Sequence, residues 1–340
     1  MPRIGPMIRD VYRRPGTEEL PAHLERQYGI EITEVSRLDA GVFRVDRRGG
    51  PPWVARVHVL GRPAERARDD AGVLRFLAEQ DFPAERCAHP EPVSEMGGRA
   101  VMVTEFAEGG SWANTPASHR RLGALLGRMH GLQAPDGPDD PAGAVQRAVR
   151  RPAGSLHHLP PFEGAPRQDL AAAAAMLADL EGRVPPEHAA TYEALLTLLD
   201  RGDDCRGLPE AFIHPDPAPV NVISAAAGPV LVDWTGAGTG PRLASLAVLL
   251  HSAGPRHAAE VLRGYGEHQE LTAGELDRVE GALWIRPLWL AAWQCWLAAV
   301  SARVNRAHVP DASRIAALAA SVQAAIAAYQ SAARSSRARD

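Results

Sequence analysis

The sequence predicts an α+β protein of two lobes, a small antiparallel β-sheet lobe with one main helix followed by a larger, mainly helical lobe. Three observations predict it. Short apolar runs with strand-like alternation fill residues 30–59 and return at 100–106. Longer runs with helical spacing dominate from Pro116 onward. Between the two regimes stands a corner, Ala107-Glu108-Gly109-Gly110, of the kind that connects lobes. At 340 residues the chain is long enough for each lobe to have its own core, and the expected boundary divides residues 1–106 from 107–340.

Taken in order, residues 1–28 are polar and helix-compatible, with a start near Thr17. Three strands follow at 30–35, 41–45 and 53–59, the last two separated by an Arg-Gly-Gly-Pro-Pro turn. The first turn, Leu38-Asp39-Ala40-Gly41, reads either as a plain hairpin or as a loop whose N–H groups cover phosphates. Strand 53–59 places Arg56 and His58 on one face. A helix over 64–80 carries Asp70, so a strand cation and a helix acid are expected to pair and hold a nucleotide's phosphates. The run 100–106 reads as a buried strand, and the backbone at Glu105, Phe106 and Ala107 reads as a purine partner or an ordinary linker.

Helices are expected at 120–130, 169–180 and 187–199, with an irregular Pro- and Gly-rich interval at 133–166. Further helices are expected at 243–250, 258–265 and 276–300, then an alanine-rich helix from Pro310 with an Arg/Ser tail. In the apolar span 276–300, Trp289, Trp293 and Trp296 recur at i, i+4, i+7, which indicates a core face or an aromatic wall for a ligand.

The chemistry concentrates in residues 211–238, which contain His214, Asp216 and Asn221 as H-x-D-x-x-x-x-N, then a hairpin pattern, then Asp233. Two apolar runs flank a turn at Gly228, so folding the hairpin returns the chain to within one residue of Asn221 at Asp233. Cross-strand neighbours lie roughly 5 Å apart. An amide oxygen and a carboxylate at one end of a rigid element, with Asp216 just upstream, suit Mg²⁺ shared with nucleotide phosphates. Asparagine occurs only three times in the chain, which makes the match informative.

A net charge of −4 offers no basic excess for a nucleic-acid backbone. No apolar run reaches the ~18 residues of a membrane helix, and the first residues lack a signal-peptide core. Three widely spaced cysteines indicate neither a disulfide framework nor a zinc site, and a reducing, cytoplasmic setting is expected. The chain contains no lysine, so any cation on a nucleotide phosphate has to be an arginine.

With those residues in view, the chain resembles the aminoglycoside phosphotransferase family from about Ile30 to Val300. The resemblance rests on WVARVH, DDAGVLRFL, VTEFAEGG, LLGRMHGL, IHPDPAPVNVI and VDWTGAG in that order. It implies a protein-kinase-like fold, with Asp216 as the catalytic aspartate that orients the substrate hydroxyl and accepts its proton. It makes Asn221 and Asp233 magnesium ligands, puts Arg56 where kinases often have lysine, and puts Asp70 where they usually have glutamate. The family's loop commonly reads His-Gly-Asp-Leu-His-Pro-Gly-Asn. Here Pro215, Pro217, Ala218 and Val220 differ, and Ser245 replaces an acid that helps hold the loop.

The implied activity is Mg²⁺-dependent transfer of the γ-phosphate of ATP or GTP to a hydroxyl of a small molecule, an aminoglycoside-like or other antibiotic. A kinase of an amino alcohol or sugar, or a non-catalytic ligand-binding protein, are the alternatives. The expected partners are the nucleotide and the hydroxylated acceptor, with no nucleic acid and no membrane. The oligomeric state is left open.

Overall fold

The computed structural model describes residues 18–60, 62–133 and 169–300, with positions 313, 316–317, 319–324 and 327. Most of the interval at 133–166, the expected start at Thr17 and most of the C-terminal helix therefore lie outside the described residues.

The chain begins with helix α1 (Leu20–Tyr28), ended by Gly29 in the left-handed region at φ 64. Strands β1 (Ile32–Asp39), β2 (Val42–Arg47) and β3 (Trp53–Val57) follow, then helix α2 (Ala64–Glu79), β4 (Val93–Met96) and β5 (Arg99–Glu105). The five strands form one antiparallel sheet in the order β1-β2-β3-β5-β4. Alternation decides which side chains are buried: in β3, Trp53, Ala55 and Val57 turn inward while Arg56 is on the other face. The inward set packs with Leu20 and Leu24 of α1 and with Val101 and Val103 of β5 in a small core.

Past the short strand β6 (Gly110–Ser111), the helical lobe comprises α3 (Pro116–His130), α4 (Asp169–Asp179) and α5 (Ala189–Leu198). A β-rich passage interrupts it: β7 (Glu210–Ile213), β8 (Val222–Ala225), β9 (Gly228–Leu231) and β10 (Gly238–Pro241). Three helices close the lobe, α6 (Arg242–Tyr265), α7 (Ala273–Asp277) and α8 (Val279–Val300). The helices expected at 243–250 and 258–265 are the two halves of α6. They meet at Gly254, whose φ of 67 and ψ of 177 are non-helical and which precedes Pro255.

The apolar face of α2 belongs to the large core. Phe76 meets Phe212 edge-on at 5.6 Å, and Phe82, just past the helix, meets Trp234 at 5.8 Å. This contact places the acid-bearing helix against the passage that carries the motif. Trp289 and Trp296 are fully buried, and the three rings at 289, 293 and 296 stack along α8, so the tryptophan face is principally core.

Candidate active site

The hairpin forms in the register that the sequence predicts. Val222 opposes Leu231 and Ala225 opposes Gly228, and Val232 N–H donates to the Asn221 carbonyl at 2.9 Å. Asn221 and Asp233 therefore stand at the open end of β8 and β9, one residue out of direct opposition.

The loop before the hairpin is built around His214. Its Nδ1 accepts from Asp216 N–H at 3.0 Å, so its Nε2 donates to the Val232 carbonyl at 3.1 Å. This tautomer requires a neutral ring, and burial lowers the His214 pKa against the pull of Asp233 and Asp216. Asn221 Nδ2 donates to the Asp216 carbonyl at 2.9 Å, which assigns Oδ1 as the free end of the amide. Ser245, on the first turn of α6, is 2% exposed and donates to the His214 carbonyl at 2.9 Å. A hydroxyl thus ties the loop to α6 where the family pattern has an acid, and the loop's prolines coexist with these bonds.

Asp233 has φ 65, a left-handed conformation uncommon outside glycine. Its N–H donates to Glu85 Oε1 at 2.9 Å, and Glu85 Oε2 accepts from Thr104 at 3.1 Å. Sequence reasoning missed Glu85, because nothing in Pro-Ala-Glu-Arg signals that its carboxylate crosses to a segment 148 residues away. Burial pushes the Glu85 pKa up, and Arg56 opposes the shift.

The expected Arg56–Asp70 pairing is corrected. Arg56 Nη1 lies 3.0 Å from Asp233 Oδ1, whereas Asp70 Oδ2 pairs with Arg62 Nη2 at 2.6 Å. The reason is geometric: the chain between β3 and α2 turns inward at Arg62, which is 3% exposed and also contacts His58 Nδ1 at 2.7 Å. A fork of N–H donors already next to α2 satisfies Asp70 before β3 can reach it. Asp70 still acts on Arg56 electrostatically, and its Oδ1 takes Gly236 N–H at 3.4 Å, linking α2 to the Asp233 segment. Burial disfavours the Arg56 charge, but Asp233, Glu85, Asp70 and Asp39 outweigh it and hold the pKa above the usual arginine value.

The connection between the lobes is narrowed as well. Glu105 N–H donates to the Arg86 carbonyl at 2.8 Å and Phe106 N–H to the Pro52 carbonyl at 3.1 Å, while the Phe106 ring carries Arg44 at 4.5 Å. Of the three amides expected to meet a purine, Ala107's alone is without a partner among the described residues. A cavity of about 750 Å³ is lined by Glu85, Glu105, Phe106, Ala107 and the β8–β9 turn, among others, and by none of Arg56, Asp216, Asn221 and Asp233.

The donor set fits a magnesium ion. Among the described residues no group of three or more His, Cys, Asp or Glu is placed to hold a metal. Magnesium instead takes one or two protein oxygens and completes its shell from phosphates and water. The Asn221 amide oxygen and the Asp233 carboxylate are such a pair, in a region where four carboxylates act on one arginine.

Solved structures share the fold at low identity. An amicoumacin kinase in complex with AMP-PNP and Ca²⁺ is 16% identical at a TM-score of 0.61, covering 90% of this chain and 92% of that one. A spectinomycin phosphotransferase in complex with ADP and spectinomycin is 12% identical at 0.60, covering 90% and 98%. A choline/ethanolamine kinase family protein from Mesorhizobium loti is 20% identical at 0.56, covering 92% and 94%. No curated protein matches the chain. With the model of the phosphotransferase enzyme family matching residues 31–282, well over half of its length, the chain belongs to that family and is a small-molecule phosphotransferase of protein-kinase-like fold.

Proposed function

We propose that the protein transfers the γ-phosphoryl group of ATP or GTP to a hydroxyl of a small molecule in the cytoplasm, with an aminoglycoside-like or other antibiotic as the acceptor. Residues 1–106 would hold the nucleotide and 107–340 the acceptor. The observation that carries the reading is the meeting of Asp216, Asn221 and Asp233 at one end of a hairpin, with Arg56 on Asp233 at 3.0 Å. The acceptor oxygen attacks the γ-phosphorus in line, the bond to the β–γ bridging oxygen breaks, the nucleoside diphosphate leaves, and Asp216 takes the hydroxyl proton. Asn221 and Asp233 would hold Mg²⁺, which would supply neutralisation of phosphate charge. Arg56 steadies the non-transferred phosphates once it releases Asp233, and the Ala107 N–H is a donor for the purine.

The choline/ethanolamine kinase among similar folds supports a second reading, an amino alcohol acceptor in the same site. A thermal-shift screen of nucleotides and hydroxylated acceptors with Mg²⁺, followed by mass detection of a phosphorylated product, separates the two. Asp216→Asn is expected to abolish turnover while leaving nucleotide affinity within about twofold; turnover retained in that variant refutes the catalytic assignment.

A further inference from the structure

Arg286 lies on α8, 70 residues from Asp216, in a helix whose sequence stands out only for its tryptophans. It is 9% exposed. Its Nη2 donates to Asp216 Oδ2 at 3.0 Å, its Nη1 lies 3.5 Å from Asp169 Oδ2, and its guanidinium sits 5.0 Å from the centre of the Trp289 ring. Asp169 is the first residue of α4, so one buried cation joins the catalytic loop, α4 and α8.

The main chain of Asp216 is already fixed, its N–H by His214 and its carbonyl by Asn221. Its side chain is not fixed by those bonds. An aspartate χ2 is a broad, roughly two-fold rotation, so an untethered carboxylate spreads its oxygens over many directions. Among the described residues Arg286 supplies the one side-chain hydrogen bond that Asp216 makes. The guanidinium stacks by Trp289 and has Asp169 as a second charge neighbour, while its Nη1 makes no hydrogen bond among the described residues, so the Nη2 bond to Asp216 is its fixed contact.

Resting on the reading of Asp216 given above, we propose that Arg286 is a positioning residue for phosphoryl transfer. It ties down Oδ2 of Asp216 and thereby presents Oδ1 to the acceptor hydroxyl. Arg286 need not touch the acceptor or the nucleotide. Its loss should therefore appear in the rate of transfer and leave nucleotide binding in place.

The test uses the full chain and Mg²⁺-ATP turnover with water as the acceptor, beside affinity for AMP-PNP and thermal stability. Arg286→Met is expected to lower kcat about 10²-fold, the scale of a misplaced catalytic group, with AMP-PNP affinity within twofold. Arg286→Gln, which keeps a neutral NH2 donor group, is expected to fall between Met and the parent. If Asp216→Asn is inactive but Arg286→Met keeps half or more of the parent kcat, this proposal is overturned and the proposed function stands. If Asp216→Asn keeps parental turnover, both are overturned. Should Arg286→Met lose AMP-PNP affinity or fail to fold, Arg286→Lys decides. A kcat loss with affinity retained supports positioning by the guanidinium fork, and a fully active lysine variant overturns it.

Discussion

Arg62 and Asp70 form an ion pair in which each side chain is 1% exposed, while Arg56 and Asp233, at 19% and 30%, are half-buried. Removing one member of a buried pair leaves a charge with neither water nor partner, at a cost of about 3–5 kcal/mol, whereas exposed pairs contribute about 0.2–1 kcal/mol. Arg62→Ala is therefore expected to lower the unfolding free energy by about 3–5 kcal/mol, and Arg56→Ala, in a pair that keeps partial solvent contact, by clearly less. Nucleotide affinity should show the converse, with Arg56→Ala weakening AMP-PNP binding about tenfold or more. Urea denaturation and a binding titration on both variants check the assignment, and equal stability losses would sink it. At this scale the sequence supplies residue identities better than partners. Asp216, Asn221 and Asp233 were legible because a loop and a two-strand hairpin fix their separation within a few residues. The partner of Asp70 was not, because the six-residue connection between β3 and α2 decides whether Arg56 or Arg62 reaches it. Glu85 and Arg286 were illegible for a plainer reason: Glu85 reaches the motif from the irregular connection between α2 and β4, and Arg286 from a helix whose pattern serves the core.

Helices α3 and α6 cross with their backbones nearly touching, and two glycines make this possible. A Cβ on Gly123 would fall 2.0 Å from the Val261 carbonyl oxygen, and one on Gly264 would fall 1.9 Å from that of Arg120. Neither neighbour is a flexible side-chain end, so even one methyl group must force the helices apart. Gly264→Ala is expected to destabilise by about 1–3 kcal/mol as an overpacked contact, measured by urea denaturation with the m-value unchanged. Parental stability in that variant would mean the crossing is looser than the structure has it. Elements with strong periodicity were legible at this scale: α2, α3, β1 to β3, and the β8–β9 hairpin all lie within a few residues of their expected bounds. The two helices expected at 243–250 and 258–265 bracket the break that the structure has at Gly254. Strands β7 and β10 were not legible. Gly-Thr-Gly-Pro has no alternating apolar pattern, and its pairing with Glu-Ala-Phe-Ile depends on backbone hydrogen bonds that long-range folding supplies.

The large core runs without interruption from α2 through the helical lobe, so a group that titrates within it acts on the stability of both lobes together. His130 on α3 is such a group. Its Nδ1 meets the Tyr265 hydroxyl on α6 at 2.9 Å, and its Nε2 has no partner among the described residues. Burial, aided by the Arg242 charge, pulls its pKa down to about 3. In the unfolded chain the same ring titrates near 6.5. Between those values the unfolded state binds the proton and the folded state does not, so stability rises with pH across this window and falls on acidification. One group of this kind accounts for about 1.4 kcal/mol per pH unit, or about 2 kcal/mol between pH 6.5 and 5. His214, also lowered by burial, adds to the trend in the same direction. His130→Gln removes the titration while leaving a side chain able to bond the Tyr265 hydroxyl. Urea denaturation at pH 7, 6 and 5 is expected to give a shallower loss of stability in this variant than in the parent, by about 2 kcal/mol at pH 5. Parallel curves for the two proteins would show that His130 is protonated without cost in the folded state, and with it that the α3–α6 interface admits water.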